Sequence, residues 1–185
     1  LIRLARKLPP RDRLLITLQL FTGFRIHEVL SITIAQIWRD GRVPPALGVR
    51  PGCLKGNSGS TRYVPIVPEL RRAAEDYLKE RLPGGLHGFD ATKHPQVARE
   101  PLFVSRQQDV MTKAARSVCR CQGYRIIKDA FAKARIYDDG RLGTHSLRKS
   151  FAHYAARGII CVMPTAGLCR VSAFTRYASK VTNAA

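Results

Sequence analysis

Five side chains spread along the chain have the types needed to work on a phosphodiester: Arg25 in TGFRIHE, Lys55 in LKGNSGSTRYVPI, His145 and Arg148 in GTHSLRK, and Tyr177 in AFTRYAS. Cleaving that bond without a metal requires other cations to neutralise the charge that grows on the two nonbridging oxygens. Two arginines suit the task, because guanidinium stays protonated and presents a planar fork of donors matched to phosphate. His145 stands three residues before Arg148, so on a helix the two share a face, where an imidazole can donate to an oxygen or assist a proton transfer. Glu28, three residues after Arg25, can hold that guanidinium. Each feature alone also has an ordinary reading. Arg25 with Glu28 is then a solvated ion pair, Lys55 beside Gly56 and Asn57 a turn lysine, the HxxR a surface or capping pattern, and Tyr177 a core ring.

The charge balance points to the partner class. The 185 residues hold 32 Lys and Arg against 13 Asp and Glu, a formal charge of +19. Residues 1–100 carry 17 basic and 9 acidic side chains and residues 101–185 carry 15 and 4, so the excess covers the whole chain rather than a tail. Such a field steers a protein to nucleic acid and makes binding salt-dependent, without conferring sequence choice. Apolar residues at 45%, with 14 Gly and 11 Pro, argue against a low-complexity tail and for one globular domain that buries about two thirds of its extended surface. The most apolar stretch, residues 14–24, contains Gln19 and falls well short of the ~20 residues a membrane helix needs, so no bilayer span is expected. The opening LIRLARKLPP interleaves charges with leucines where a signal peptide has an unbroken apolar run. It starts at Leu1, so a fragment of a longer protein is expected. Cys53, Cys119, Cys121, Cys161 and Cys169 lack paired CxxC spacing, which leaves a reduced intracellular protein without a zinc site or disulfide framework as the expectation.

The elements that must position these residues are legible in part. Asp12 to Phe21 has helical apolar spacing, with Pro9 and Pro10 ahead and Gly23 closing it. Arg25 to Ser31 follows as a short helix with Ile26, Val29 and Leu30 inward, and Arg25 and Glu28 on another face. Ile32 to Ile37 has the β-branched content of a strand. Gly52 to Ile66 reads as a hairpin with GNSGS (56–60) at its tip and TRYVPI returning. Pro68 starts a helix through about Arg81. Residues 82–101, rich in Gly and Pro and without a period, read as a long loop, and PLFVS after it as an extended segment. Helices are expected from Met111 to about Cys121, Tyr124 to about Arg135, Ser146 to about Arg157 and Thr165 to Tyr177. The fold class is therefore mainly α with a small antiparallel β-sheet near the middle, in a single domain.

At these positions and in this order the chain resembles the tyrosine recombinases, or phage integrase family, from about Pro10 to Tyr177. Each motif alone is weak; their joint order and intervals carry the likeness. The resemblance implies that residues 1–185 form a catalytic domain whose usual N-terminal, DNA-clamping domain is absent from this chain. It implies site-specific cleavage and rejoining of double-stranded DNA for integration, excision or multimer resolution, with no metal, ATP or other cofactor. Tyr177 would attack phosphorus and form a 3′-phosphotyrosyl link that conserves the bond energy, and Lys55, in its KGN context, would protonate the leaving 5′ oxygen. Arg25 and Arg148 would clamp the phosphate, His145 would assist, and Glu28 would orient the cluster. Arg116, Arg120, Arg125 and Lys128 are candidates to track DNA, with their helices entering the major groove.

The chain departs from the family pattern nine residues before the tyrosine, where His or Trp is usual and Leu168 stands. Leucine cannot donate to the phosphate; Arg170 is the best-charged substitute nearby. Loss of one such donor costs ~10²-fold or more in rate, so a catalytically degenerate DNA-binding domain is one alternative. A type IB topoisomerase-like enzyme, which shares the residue set but works as a monomer, is another. Only eight residues follow Tyr177, too few for the C-terminal helix with which many relatives dock a neighbour. The expectation is a monomer alone, a tetramer on DNA in the full-length protein, and a cytoplasmic, nucleoid-associated location.

Overall fold

The computed structural model describes residues 7–49, 61–108, 115–136, 138, 140 and 142–156. Its centre is helix α1 (Pro10–Thr22), buried on every side from Leu14 to Leu20. A helix apolar all round must be enclosed by others, and α4 and α8 pack along it. Pro10 opens α1 at a position where the missing N–H costs nothing, and Asp12 complements the positive end of the helix. Gly23 ends it in the left-handed region (φ 60°, ψ 19°), its N–H donating to Gln19 O at 3.1 Å.

Helix α2 (Ile26–Leu30) follows at once, then the single turn α3 (Ile34–Ile37). The strand expected over Ile32 to Ile37 is thus corrected. Strand character survives only at its start, where Leu102 N donates to Ile32 O and Thr33 bridges Pro101. Gln36 then turns the chain into a helix, because its Oε1 accepts from Thr33 N at 2.8 Å and satisfies a free helix-start donor.

Strands β1 (Ala46–Val49) and β2 (Arg62–Pro65) pair antiparallel, with Val49 opposite Arg62 and Gly48 opposite Tyr63. The expected return strand is present, but its partner begins six residues before the expected Gly52. Two contacts tie this ladder down: Gln36 Nε2 to Gly48 O at 2.9 Å, and Ile66 N to Pro45 O at 2.8 Å. The tip, with Lys55, lies outside the described residues.

Helix α4 (Pro68–Arg81) has the expected bounds and buries Leu70, Ala73, Ala74, Tyr77 and Leu78, one stripe at helical spacing. Residues 82–101 are not a long loop. They hold two short helices, α5 (Gly85–Gly88) and α6 (Pro95–Arg99), with Leu82, Phe89 and Ala98 buried. Helices of four or five residues are too short to print a period, which is why the segment read as irregular. Arg81 pairs with Glu100, and the buried Tyr77 hydroxyl donates to Leu102 O at 3.0 Å while its ring stacks on Phe103. Burial raises the Tyr77 pKa, so the phenol stays a donor.

Strand β3 (Val104–Gln108) pairs antiparallel with β4 (Ala115–Ser117). The helix expected from Met111 to Cys121 is corrected at Ala115–Ser117, which is strand β4; helix begins only at Arg120. Backbone pairing with β3 and the Ser117 hydroxyl, which donates to Leu30 O at 2.8 Å, outweigh the local helical spacing. Among the described residues there are therefore two small two-stranded sheets where one was expected. Helices α7 (Arg120–Lys133) and α8 (Thr144–Ala156) complete the described chain. The helix expected over Thr165 to Tyr177 falls outside it. No described helix is long and apolar enough to cross a membrane.

Candidate active site

Arg25 stands at the turn between α1 and α2, and the local sequence specifies that turn closely. Thr22 Oγ1 donates to Leu18 O at 2.6 Å and accepts from Phe24 N at 3.2 Å, Gly23 supplies the left-handed residue, and Phe24 is fully buried. Arg25 then adopts extended backbone as the cap of α2, its own N–H donating to Glu28 Oε2 at 2.6 Å. The second carboxylate oxygen of Glu28 accepts from Arg25 Nη1 at 3.1 Å.

Glu28 is fully buried, whereas the Arg25 side chain keeps 37% of its surface exposed. The expectation of a second, outward face carrying both residues is corrected for Glu28, and the solvated ion pair with it. A buried carboxylate needs a cation and donors. Glu28 obtains both from one residue, which aligns one edge of the guanidinium and leaves its remaining donors available to an anion.

His145 and Arg148 lie on the first turns of α8, which buries Leu147, Phe151 and Ala152 against the body of the protein. His145 is exposed; Arg148 is half-buried, with Nη1 out of contact with solvent. The seating of α8 decides the site. A Cβ on Gly23 would stand 2.3 Å from Phe151 Cδ1, so the phenylalanine ring occupies the space the glycine leaves. Two residues of backbone carry Arg25 no more than about 7 Å beyond Gly23, and one helical turn, about 5 Å, separates Phe151 from Arg148. The glycine–phenylalanine contact thus seats α8 beside the turn that Arg25 follows, with Arg148 one turn before Phe151 on that helix and His145 three residues earlier.

The phage integrase family model matches residues 1–160. The chain belongs to the phage integrase family. Its likeness to two solved family structures agrees. The crystal structure of the XerA recombinase superposes with a TM-score of 0.65 at 20% identity, over 99% of this chain and 58% of that one. The XerH site-specific recombinase, solved bound to a palindromic difH substrate as a post-cleavage complex, gives 0.60 at 20% identity, over 99% and 48%. At that identity the shared property is the fold, the tyrosine recombinase catalytic-domain architecture. The chain spans about half the length of these two integrase-family proteins. No curated protein gave a match.

Within this integrase-family domain, Arg25 and Glu28 are joined directly, and His145 and Arg148 share the first turns of α8, the helix that packs along α1. Lys55, Leu168, Arg170 and Tyr177 lie outside the described residues. Of the four expected DNA-tracking residues, Arg116 is exposed on strand β4, not on a helix, while Arg120 and Arg125 are exposed on α7. Lys128 is held by Asp138. Cys119 caps α7, its Sγ accepting from Gln122 N at 3.4 Å. Sequence reasoning missed Phe151 as the group that seats the site and Asp138 as a partner for Lys128. The Asp-Asp-Gly run at 138–140 was the available signal for the second; for the first, the helical spacing of Leu147 and Phe151 marked an inward face but not the partner that it meets.

Proposed function

We propose that this chain is the catalytic part of a site-specific DNA recombinase that cleaves and rejoins strands through a 3′-phosphotyrosyl intermediate. The observation that carries the proposal is Arg25, clamped by the buried Glu28 at the turn on which Phe151 seats the helix of His145 and Arg148. A guanidinium held by Glu28, with a second guanidinium and an exposed imidazole on the first turns of α8, suits the charge of a pentacoordinate phosphorus. In this reading the Tyr177 oxygen attacks phosphorus, the bond to the 5′ oxygen breaks, and Lys55 gives that oxygen its proton. His145 assists removal of the phenolic proton. The phosphotyrosyl bond keeps the energy of the broken one, and a 5′ hydroxyl from another strand reverses the step. Double-stranded DNA is the substrate, approached by the +19 field. The XerH complex with its difH substrate supports DNA as the partner of this fold.

The test selects binding duplexes from a random pool, nicks them so that the cleaved end diffuses away, and seeks an SDS-resistant protein–DNA band. A band that is lost in Tyr177→Phe and in Arg148→Ala supports the reading. A protein that binds DNA without ever giving a band supports the degenerate binding domain, for which Leu168 at the usual donor position is the specific argument.

A further inference from the structure

The connection from α7 to α8 is held by a cluster that the proposed mechanism does not use. Asp138 Oδ1 accepts from Gly140 N at 2.9 Å and Leu142 N at 3.1 Å, while its other oxygen takes the Lys128 ammonium. That ammonium also lies 5.4 Å from the centroid of the Tyr124 ring, within the range of a cation–π contact. The other edge of Tyr124 abuts Gly143, where a Cβ would come within 2.9 Å of Cε2. Gly143 is the residue before α8, and its N–H and C=O exchange hydrogen bonds with the Ser146 hydroxyl and N–H at 3.2 and 3.0 Å. The ring is thus wedged between the ion pair and the start of the helix that carries His145 and Arg148.

The same helix α7 also meets α2, the short helix that Arg25 caps. Ile26 and Leu30 of α2 lie over Gly123, at 3.1 and 3.6 Å from the place of a Cβ. A route of direct contacts therefore runs from α2, through Gly123 and Tyr124, to Gly143. It is independent of the Gly23–Phe151 contact. It adds a constraint at the very start of α8 to the packing of Leu147, Phe151 and Ala152 farther along the helix.

We propose that Lys128, Asp138 and Tyr124 form a clip that sets the start of α8, so that Lys128 is a positioning residue for His145 and Arg148 and not a DNA contact. The charge arrangement favours this over the DNA role. A phosphate would have to displace Asp138, which also organises the turn. Arg120 and Arg125 stand exposed on the same helix with no ion pair among the described residues. Hydrogen bonding and charge within the pair hold the Asp138 carboxyl below its ordinary pKa and raise that of Lys128, as a standing ion pair requires. The consequence for rate rests on the recombinase reading; the consequence for the helix does not.

Lys128→Met, Lys128→Arg and Asp138→Asn in the 185-residue chain test the clip, the last keeping an acceptor for the turn amides while removing the charge. Three measurements apply. Binding to a labelled mixed-sequence duplex across a salt series is expected to keep its slope in Lys128→Met. A slope reduced by about one, the mark of a lost phosphate contact, overturns the proposal, as does tighter binding in Asp138→Asn. The single-turnover rate on the nicked duplex is expected to fall about tenfold at saturating DNA in both Lys128→Met and Asp138→Asn, and to recover in Lys128→Arg. Unchanged rates overturn it. Amide hydrogen exchange over residues 145–148 is expected to quicken in both variants while α1 stays protected, and unchanged exchange there also overturns it. If the wild-type chain yields no covalent band, the recombinase reading fails and the salt series and exchange still decide the clip.

Discussion

Glu28 is the residue on which the candidate site turns, because a fully buried carboxylate makes Arg25 a structural as well as a chemical group. Arg25→Ala removes the guanidinium and strands the charge, with only the backbone N–H of residue 25 still donating. We expect a loss of about 3 kcal/mol, at the lower end of the cost of breaking a buried pair, read as an earlier midpoint in urea with an unchanged slope. Arg25→Lys keeps a cation but not the fork; it should retain more of the stability while losing covalent adduct formation. Gln19 makes the opposite case. Its side-chain amide is buried in α1 with neither polar atom partnered among the described residues. Gln19→Leu should therefore raise stability by about 1–2 kcal/mol, and a destabilised variant would reveal a partner for that amide.

Helices deliver these residues, and close contacts at glycines help to seat them. Gly23→Ala must force a Cβ into the Phe151 ring and accept a left-handed φ of 60°. Strain and overpacking together predict a loss of about 3 kcal/mol, with adduct formation falling further than thermal stability accounts for, because α8 moves with the ring. The α7–α8 clip has its own pH signature. Asp138 has a depressed pKa, held down first by the Lys128 hydrogen bond and then by the Leu142 amide. Its contribution is present above the unfolded value near 3.8 and is lost as pH falls through the lower folded value. Lys128 has a raised pKa, so its share is complete below 10.5 and is lost as pH rises through the higher folded value. The melting-temperature difference between wild type and Asp138→Asn should therefore be steady through neutral pH and vanish in acid below the folded pKa of Asp138. A difference that persists there would mean the carboxylate charge is not what holds the clip.

For the molecule as a whole, the +19 charge predicts binding to any duplex at low salt and a steep loss on adding salt, about 10³-fold or more between 50 and 200 mM if six or more phosphates are engaged; anisotropy titrations read this directly, and a flat response would remove the case for a DNA face. The candidate residues Arg25, Glu28, His145 and Arg148 stand out in the sequence only as a set, through their joint order and its likeness to a family pattern, whereas α1, α4, α7 and α8 show in a period that persists over three or more turns. Short elements were not legible. The turn at Ile34–Ile37 and the helices within residues 82–101 are too short to print a period, and the strand at Ala115–Ser117 takes its form from distant partners, β3 and Leu30 O. The sequence by itself determined the charge, the long helices and the chemistry available, since these follow from composition and local periodicity. Only the tertiary structure decided that Glu28 is buried, that Phe151 fills the space at Gly23 and that Lys128 is bound to Asp138, because burial and pairing are properties of neighbours brought together from far along the chain.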